Sequence, residues 1–285
     1  MVKSKNDIAF NIVVYAIMLI VLLVTLVPVL YVVSMAFTPY EEVIRNGGFV
    51  LIPKSFTLYA FDYMLKDGKL PSSMLVTVRL TIIGTIANLI VTMLTAYPLS
   101  RRQMPGQKVL MKLVIFTMVF SAGVIPTYLV VKETGLLNTL EALYIPSLVS
   151  VYNLIITKAF FEGLPEELFE SARLDGASEL GVLWRIVIPM SLPIIMTIGM
   201  YYAVGHWNTY TAAIYYITEP KLKPLQVILR DKLRATNMDI TAEDVVPSET
   251  MKMAVVVFAT APIVIVYPFI QKYFVKGTLA GAVKG

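Results

Sequence analysis

ESARLDGASELGVLWRIVIPMSLP, residues Glu170 to Pro193, is a polar stretch set between two long apolar ones. Pro165, just upstream, fits the first turn of a helix because its missing N–H would be unpaired there, and Glu166 and Glu167 favour the positive dipole end of that turn. The pattern predicts a short helix from Pro165 to Leu174. Asp175-Gly176 is a turn signal, and Ser178 is a cap for a second helix running toward Pro189. The stretch therefore reads as helix, tight turn, helix. Leu168 and Ala172 lie four apart on one face with Phe169 and Arg173 beside them, a compact knob that a groove on another protein could receive. The competing reading is an ordinary amphipathic hairpin between membrane spans.

The surroundings of the hairpin are those of a bilayer protein. Of 285 residues, 57% are hydrophobic and 15% charged, against about a quarter charged in soluble domains. Mean hydropathy is +0.74. Cysteine is absent, which excludes a disulfide framework and thiolate metal sites, and the single histidine leaves no local zinc motif. Uncharged runs cover Ile8–Tyr40, Leu80–Ser100, Leu113–Val131, Ala142–Thr157, Ile186–Thr218 and Met253–Gln271. About 20 apolar residues cross the hydrocarbon core, and the short fourth run reaches Phe161 if Lys158 snorkels. An all-α membrane protein with six transmembrane helices is expected. The first run, preceded by Lys3 and Lys5, is too long for a signal-peptide core and is expected to stay as helix one.

Six spans put both termini on one side. Counting all 24 Lys and Arg does not choose it, but the density of Arg101, Arg102 and Lys108 in one short loop, with the N-terminal lysines, favours a cytoplasmic location. The first outer connection, with Pro39, Gly47-Gly48, Pro53 and Gly68, reads as a structured excursion rather than a helix. In the third, Leu225, Ile228, Leu229 and Leu233 recur at helical spacing among basic residues, which predicts an interfacial helix, followed by an acidic, turn-rich segment. Domains are expected at 1–72 (first helix and outer loop), 73–274 (membrane core, with the hairpin at 162–190) and 275–285 (tail). Pro28, Pro126, Pro146, Pro262 and Pro268 punctuate the runs, as kinks of a moving pathway or simply as packing features.

A self-powered transporter places ionisable groups near mid-membrane. Here His206 is the only titratable group well inside a long run, and nothing matches the phosphate-cradling G-x-x-x-x-G-K-[ST] loop. No catalytic residue, cofactor or metal site is expected, so energy must come from another chain. The densest polar cluster is YYAVGHWNTYTAAIYY, Tyr201 to Tyr216. Such groups hydrogen-bond hydroxyls and stack on sugar faces, making Tyr201, His206 and Asn208 candidates for a passage, with Asn88 and Asn153 as weaker ones. For Tyr210, Tyr215 and Tyr216 an interfacial aromatic belt is the favoured reading. For His206 and Asn208, interhelical hydrogen bonding stands level with a pathway role.

The hairpin also resembles the EAA loop of ABC importer permeases: Glu-Ala-Ala, three residues, Gly, nine residues, Ile, one residue, Leu-Pro. Here Glu170, Ser171, Ala172, Asp175, Gly176, Ile186 and Pro189 keep the spacing, with Ser171 for Ala and Ile188 for Leu. AYPLSRRQMPG, IPTYLVVKETGLLNT and the closing YPFIQKYFVKGTLAGAVKG are similar to the MalG-like carbohydrate-uptake branch, extending the likeness from about Met74 to Gly285. The closing segment most resembles permeases for complex or acidic oligosaccharides. The resemblance implies a MetI-like type I permease core, a second permease completing a heterodimer, two ATP-binding subunits on the EAA loops, an extracytoplasmic solute-binding protein, a sugar substrate, surrounding lipid and no nucleic acid. It also implies both termini in the cytoplasm. A secondary transporter or channel, or a non-transporting scaffold, are the alternatives.

Overall fold

The computed structural model describes residues 5–66, 68–101, 103–235 and 248–282. Lys3, Arg102, the acidic segment at 236–247 and the last three residues lie outside them. Every regular element among the described residues is helical, as a bilayer requires of chains that must satisfy their own backbone groups. In chain order these are α1 (Lys5–Phe37), α2 (Tyr40–Arg45), α3 (Tyr59–Lys66), α4 (Lys69–Ser100), α5 (Gln107–Val119), α6 (Val124–Glu133), α7 (Val151–Glu162), α8 (Glu166–Leu174), α9 (Glu179–Met190), α10 (Leu192–Trp207), α11 (Thr211–Tyr216), α12 (Leu225–Ala235) and α13 (Ser248–Ala282).

Three helices are long and apolar enough to cross a membrane: Phe10–Phe37 of α1, all of α4, and Glu249–Pro268 of α13. Three bent pairs qualify together, α5 with α6 (115°), the 3-10 turns of Glu141–Ser147 with α7 (54°), and α9 with α10 (85°). Six spans result when each pair counts as one. The third, fourth and fifth spans are thus broken ones. The third breaks at Phe120–Gly123, where Gly123 takes φ +83. The fifth breaks at Ser191, flanked by Pro189 and Pro193, and α11 resumes after a second interruption. Pro28, Pro262 and Pro268 instead lie within uninterrupted helices.

The chain divides into two compact units, residues 1–70 with 229–263, and 71–228 with 264–285. α13 continues to Ala282. In the first unit the lipid-length part of α1 buries nothing, while its end packs Met35 on Val43 and Val50 of the excursion that follows it. Phe37 stacks between Phe56 (5.0 Å) and Phe61 (4.9 Å). The excursion is structured as expected but contains two short helices, α2 and α3. Glu42 latches it, accepting the backbone N–H of Lys54 (2.8 Å) and of Ser55 (3.0 Å) and the Ser55 hydroxyl.

The Ser55 hydroxyl and then the Lys54 amide hold the Glu42 carboxyl below its ordinary pKa. A lowered folded pKa means the latch is fully in force above the ordinary carboxylate range and is lost as pH falls through the folded value. Limited proteolysis between 40 and 58 should therefore accelerate on acidification. Glu42→Gln should be cut quickly at neutral pH and show a flatter pH profile; identical profiles would show the latch to be idle.

In the second unit one apolar cluster, including Met93, Tyr97, Leu154, Phe161, Phe169, Val182, Leu183 and Ile198, packs around the root of the α8–α9 hairpin. A second, with Leu80, Val131, Leu143, Ala213, Tyr216 and Val227, gathers the other end of α4. One continuous 32-residue helix, α4, about 48 Å long, thus serves both clusters. Asn138, just past α6, holds φ +58, a region Asn tolerates, and its side-chain oxygen accepts the Thr218 N–H (2.7 Å) and the Glu219 N–H (3.0 Å).

Candidate functional site

The hairpin forms as its sequence predicts. Pro165 precedes α8 in an extended conformation, and Gly176 takes φ +78, the left-handed region that its missing Cβ permits. Ser178 caps α9, its hydroxyl accepting the Gly181 N–H at 3.2 Å. Past the cap, α9 widens to a π turn at Leu183–Val187, just before Pro189. Such a turn accommodates a residue that has no N–H to continue the ladder.

The knob is rotated from the expected one. Phe169 and Ala172 are buried in the chain's own core, so neither is offered outward. The 3.6-residue period turns 169 and 172–173 inward and leaves Leu168, Glu170, Ser171 and Leu174 outward. Leu174 is 89% exposed, and Asp175 and Gly176 are exposed beside it. A side chain built on Gly176 would meet none of the described residues within 4 Å. Ile186 is half-buried and Pro189 exposed, but both lie along α9, roughly 15–20 Å from the tip by helical rise. The tip thus comprises Glu170, Ser171, Leu174, Asp175 and Gly176, while Ala172 and Ile186 belong to its support.

That support contains residues the sequence reading missed. Arg101, one residue past α4, lays its guanidinium over the Phe169 ring at 3.5 Å and over Tyr97 at 5.0 Å, and pairs with Glu166 at 3.2 Å. Among the described residues its Nε and Nη2 are buried without a hydrogen-bond acceptor, and the ring faces take that place. The Tyr97 hydroxyl donates to Glu179 (2.6 Å), which also accepts Arg173 Nε (2.9 Å), and Arg173 lies 3.9 Å from Glu166. Exposed pairs such as Arg173–Glu166 are worth about 0–1 kcal/mol. A desolvated guanidinium–ring stack is worth about 2 kcal/mol or more, so the Phe169 contact dominates. A cavity of about 390 Å³ opens beside this circuit.

A larger cavity, about 680 Å³, is lined by Asn88 of α4, Tyr152 and Asn153 of α7, Tyr201, Tyr202 and His206 of α10, and Asn208. All five polar residues singled out in the sequence, Asn88, Asn153, Tyr201, His206 and Asn208, meet here. Their roles differ. Asn88 is fully buried; its Nδ2 donates to the carbonyls of Ser147 (2.7 Å) and Leu148 (2.9 Å), and its Oδ1 lies 2.7 Å from His206 Nε2. Since the amide nitrogen is committed to carbonyls, Oδ1 is the acceptor and His206 donates from Nε2. These two residues tie α4, α10 and the break before α7 together. Asn153 has no side-chain hydrogen bond among the described residues, and Tyr201 is 42% exposed with its ring 6.4 Å from that of Tyr152. Asn208 bonds locally, its Nδ2 donating to the Val204 carbonyl at 2.9 Å.

Tyr202, unflagged by the sequence, accepts the Ser150 N–H (3.1 Å), and its hydroxyl shares a hydrogen bond with Thr92 Oγ1 (2.8 Å). The proposed aromatic belt is corrected. Tyr216 is buried against Tyr128 (6.4 Å) in the second cluster and Tyr210 lines the cavity; Tyr215 alone of the three is exposed. Among the described residues none lining the cavity is Lys, Arg, Asp or Glu.

Residues 88–279 match the family described as binding-protein-dependent transport system inner membrane component. The chain is 43% identical over 282 residues to the polygalacturonan/rhamnogalacturonan transport system permease protein YtcP of Bacillus subtilis, covering 97% of this chain and 98% of that one. It is 46% identical over 267 residues to Protein LplC of the same organism, covering 92% of this chain and 90% of that one. Among solved structures, that of a bacterial ABC transporter involved in import of the acidic polysaccharide alginate superposes with a TM-score of 0.88 at 30% identity, covering 96% of this chain and 99% of the other. Likeness over nearly the full length removes the secondary-transporter, channel and scaffold readings. The chain belongs to the family of binding-protein-dependent transport system inner membrane components, as a membrane permease of an ABC importer that works with another permease, an ATPase and a solute-binding protein.

Proposed function

We propose that this permease forms one half of a heterodimer that imports an oligosaccharide of the acidic, uronate-containing kind, with two ATP-binding subunits docked on the paired hairpins and both termini in the cytoplasm. The observation that carries the reading is the 680 Å³ cavity in which amides, hydroxyls and two tyrosine rings converge. Amides and hydroxyls match sugar hydroxyls, and tyrosine faces match the apolar faces of pyranose rings. The acidic class follows the pectin-derived and alginate substrates named for the relatives. Since the cavity's described lining holds no Lys, Arg, Asp or Glu, the sugar carboxylates are neutralised elsewhere, and this chain reads hydroxyls and ring faces. The exposed Leu174, Asp175 and Gly176 at the hairpin tip support an ATPase contact.

The test is uptake by the importer reconstituted in liposomes with its partner permease, ATPase and binding protein. Trigalacturonate should enter, and maltotriose should not. Asn153→Ala and Tyr201→Ala should each lower trigalacturonate uptake about tenfold, the effect of losing about 1.4 kcal/mol, without changing the yield of assembled complex. Equal uptake of both sugars would reject the acidic class. Unchanged uptake in both variants would reject the cavity as the route.

A further inference from the structure

We infer that Arg101 is a positioning residue that locks the docking hairpin to α4, so that hairpin movement is delivered along that helix to the cavity wall. The inference rests on the docking reading of the hairpin. Three observations carry it. First, Arg101 holds the N-terminal half of α8 toward α4: Phe169 through a 3.5 Å stack and Glu166 through a 3.2 Å ion pair. Second, α9 is tied to the same helix end by the 2.6 Å bond from Tyr97 to Glu179, and Arg173 closes the circuit between the hairpin's two arms. Third, α4 runs on unbroken to Asn88 and Thr92, whose side chains grip His206 and Tyr202 at the cavity. From Tyr97 back to Asn88 is nine residues, about 14 Å of helix. The same rod thus bears the hairpin at one end and a cavity wall in its middle. Packed elements of this kind shift as units rather than deform continuously.

The flat guanidinium matters as much as the charge. It stacks on Phe169 while two of its N–H bearing nitrogens, Nε and Nη2, sit buried against rings rather than acceptors. An ammonium cannot reproduce that contact. Arg101→Lys should therefore behave like Arg101→Gln.

The chain has no cysteine, so single introduced cysteines report on one place each. In the assembled importer, with other subunits free of reactive cysteine, Leu174→Cys reports ATPase contact at the tip and Tyr201→Cys reports the cavity, both by their rate of modification with a charged maleimide. In the parent, the ATPase should protect the tip cysteine, and ATP with vanadate should change the cavity rate at least fivefold. Adding Arg101→Gln or Arg101→Lys should preserve tip protection but cut the cavity response below twofold. Tyr97→Phe, which removes only the hydroxyl reaching Glu179, should give an intermediate response. A cavity response equal to the parent's in both Arg101 variants would overturn the inference while leaving the docking reading intact. A tip cysteine unprotected in the parent would overturn docking and the inference with it. Failure of all three variants to assemble would make Arg101 purely architectural and also overturn the assignment.

Discussion

Gly176→Asp is expected to leave the permease inserted and folded while reducing transport below about a tenth of the parent's. The glycine holds φ +78 at the hairpin tip, and its missing side chain faces open space rather than this chain's own atoms. Two mechanisms are separable. Backbone strain in the left-handed region costs about 1–2 kcal/mol for most side chains and less for Asp, which visits it more readily than β-branched residues do. Strain alone would make Gly176→Val severe and Gly176→Asp mild. A contact surface that a side chain blocks would make both severe, because the new Cβ projects where the ATPase must sit. Co-purification of the ATPase with each variant, together with the melting temperature of the isolated permease, distinguishes them. Loss of the ATPase from Gly176→Asp with an unchanged melting temperature is the expected pattern. Normal attachment and transport in that variant would remove the tip from the docking surface.

Gly84→Ala should have the second largest effect, and for a reason internal to the membrane. A methyl group there would lie 2.6 Å from His206 Nε2, 2.8 Å from Cε1 and 2.9 Å from Cδ2. These distances are inside van der Waals contact, so the imidazole must move. It is not free to do so at no cost, because Nε2 bonds Asn88 Oδ1 at 2.7 Å and both side chains are buried. Overpacking costs typically 1–3 kcal/mol, and a buried amide oxygen left unpaired a further 1–3 kcal/mol. The melting temperature in detergent should fall by roughly 5–10 °C on the usual size scaling. His206→Ala should also destabilise, by losing the same bond. The two effects should not add: with the ring gone, Gly84→Ala meets no obstacle, so the double variant should be little worse than His206→Ala alone. Simple additivity in that cycle would mean that the close approach of α4 and α10 is not what Gly84 provides.

Sequence alone determined the features that depend on near neighbours in the chain. Uncharged runs located the six membrane segments, because the hydrocarbon core sets a length that composition must meet. Gly176 and Ser178 dictated the hairpin through local backbone chemistry, and the structure holds the glycine left-handed in the turn and the serine as the cap, while Pro165 stands just before α8 rather than in its first turn. The polar residues of the Tyr201–Tyr216 stretch were visible as an anomaly, since amides and imidazole are costly in lipid without partners.

What only the tertiary structure decided was which partners they take. Asn88 and His206 are 118 residues apart, and no periodicity could say that they satisfy each other while Asn153 keeps its amide free for the cavity. The same limit hid the direction of the hairpin's faces. Phe169 and Ala172 share a helical face with Leu168 and Arg173 on any wheel, but which side of that face meets the core depends on how α8 packs against α4 and α7. Arg101 read as one member of a basic loop. Its burial against Phe169 and Tyr97 arises because the hairpin folds back over the end of α4, a placement set by long-range apolar packing that the local sequence does not encode.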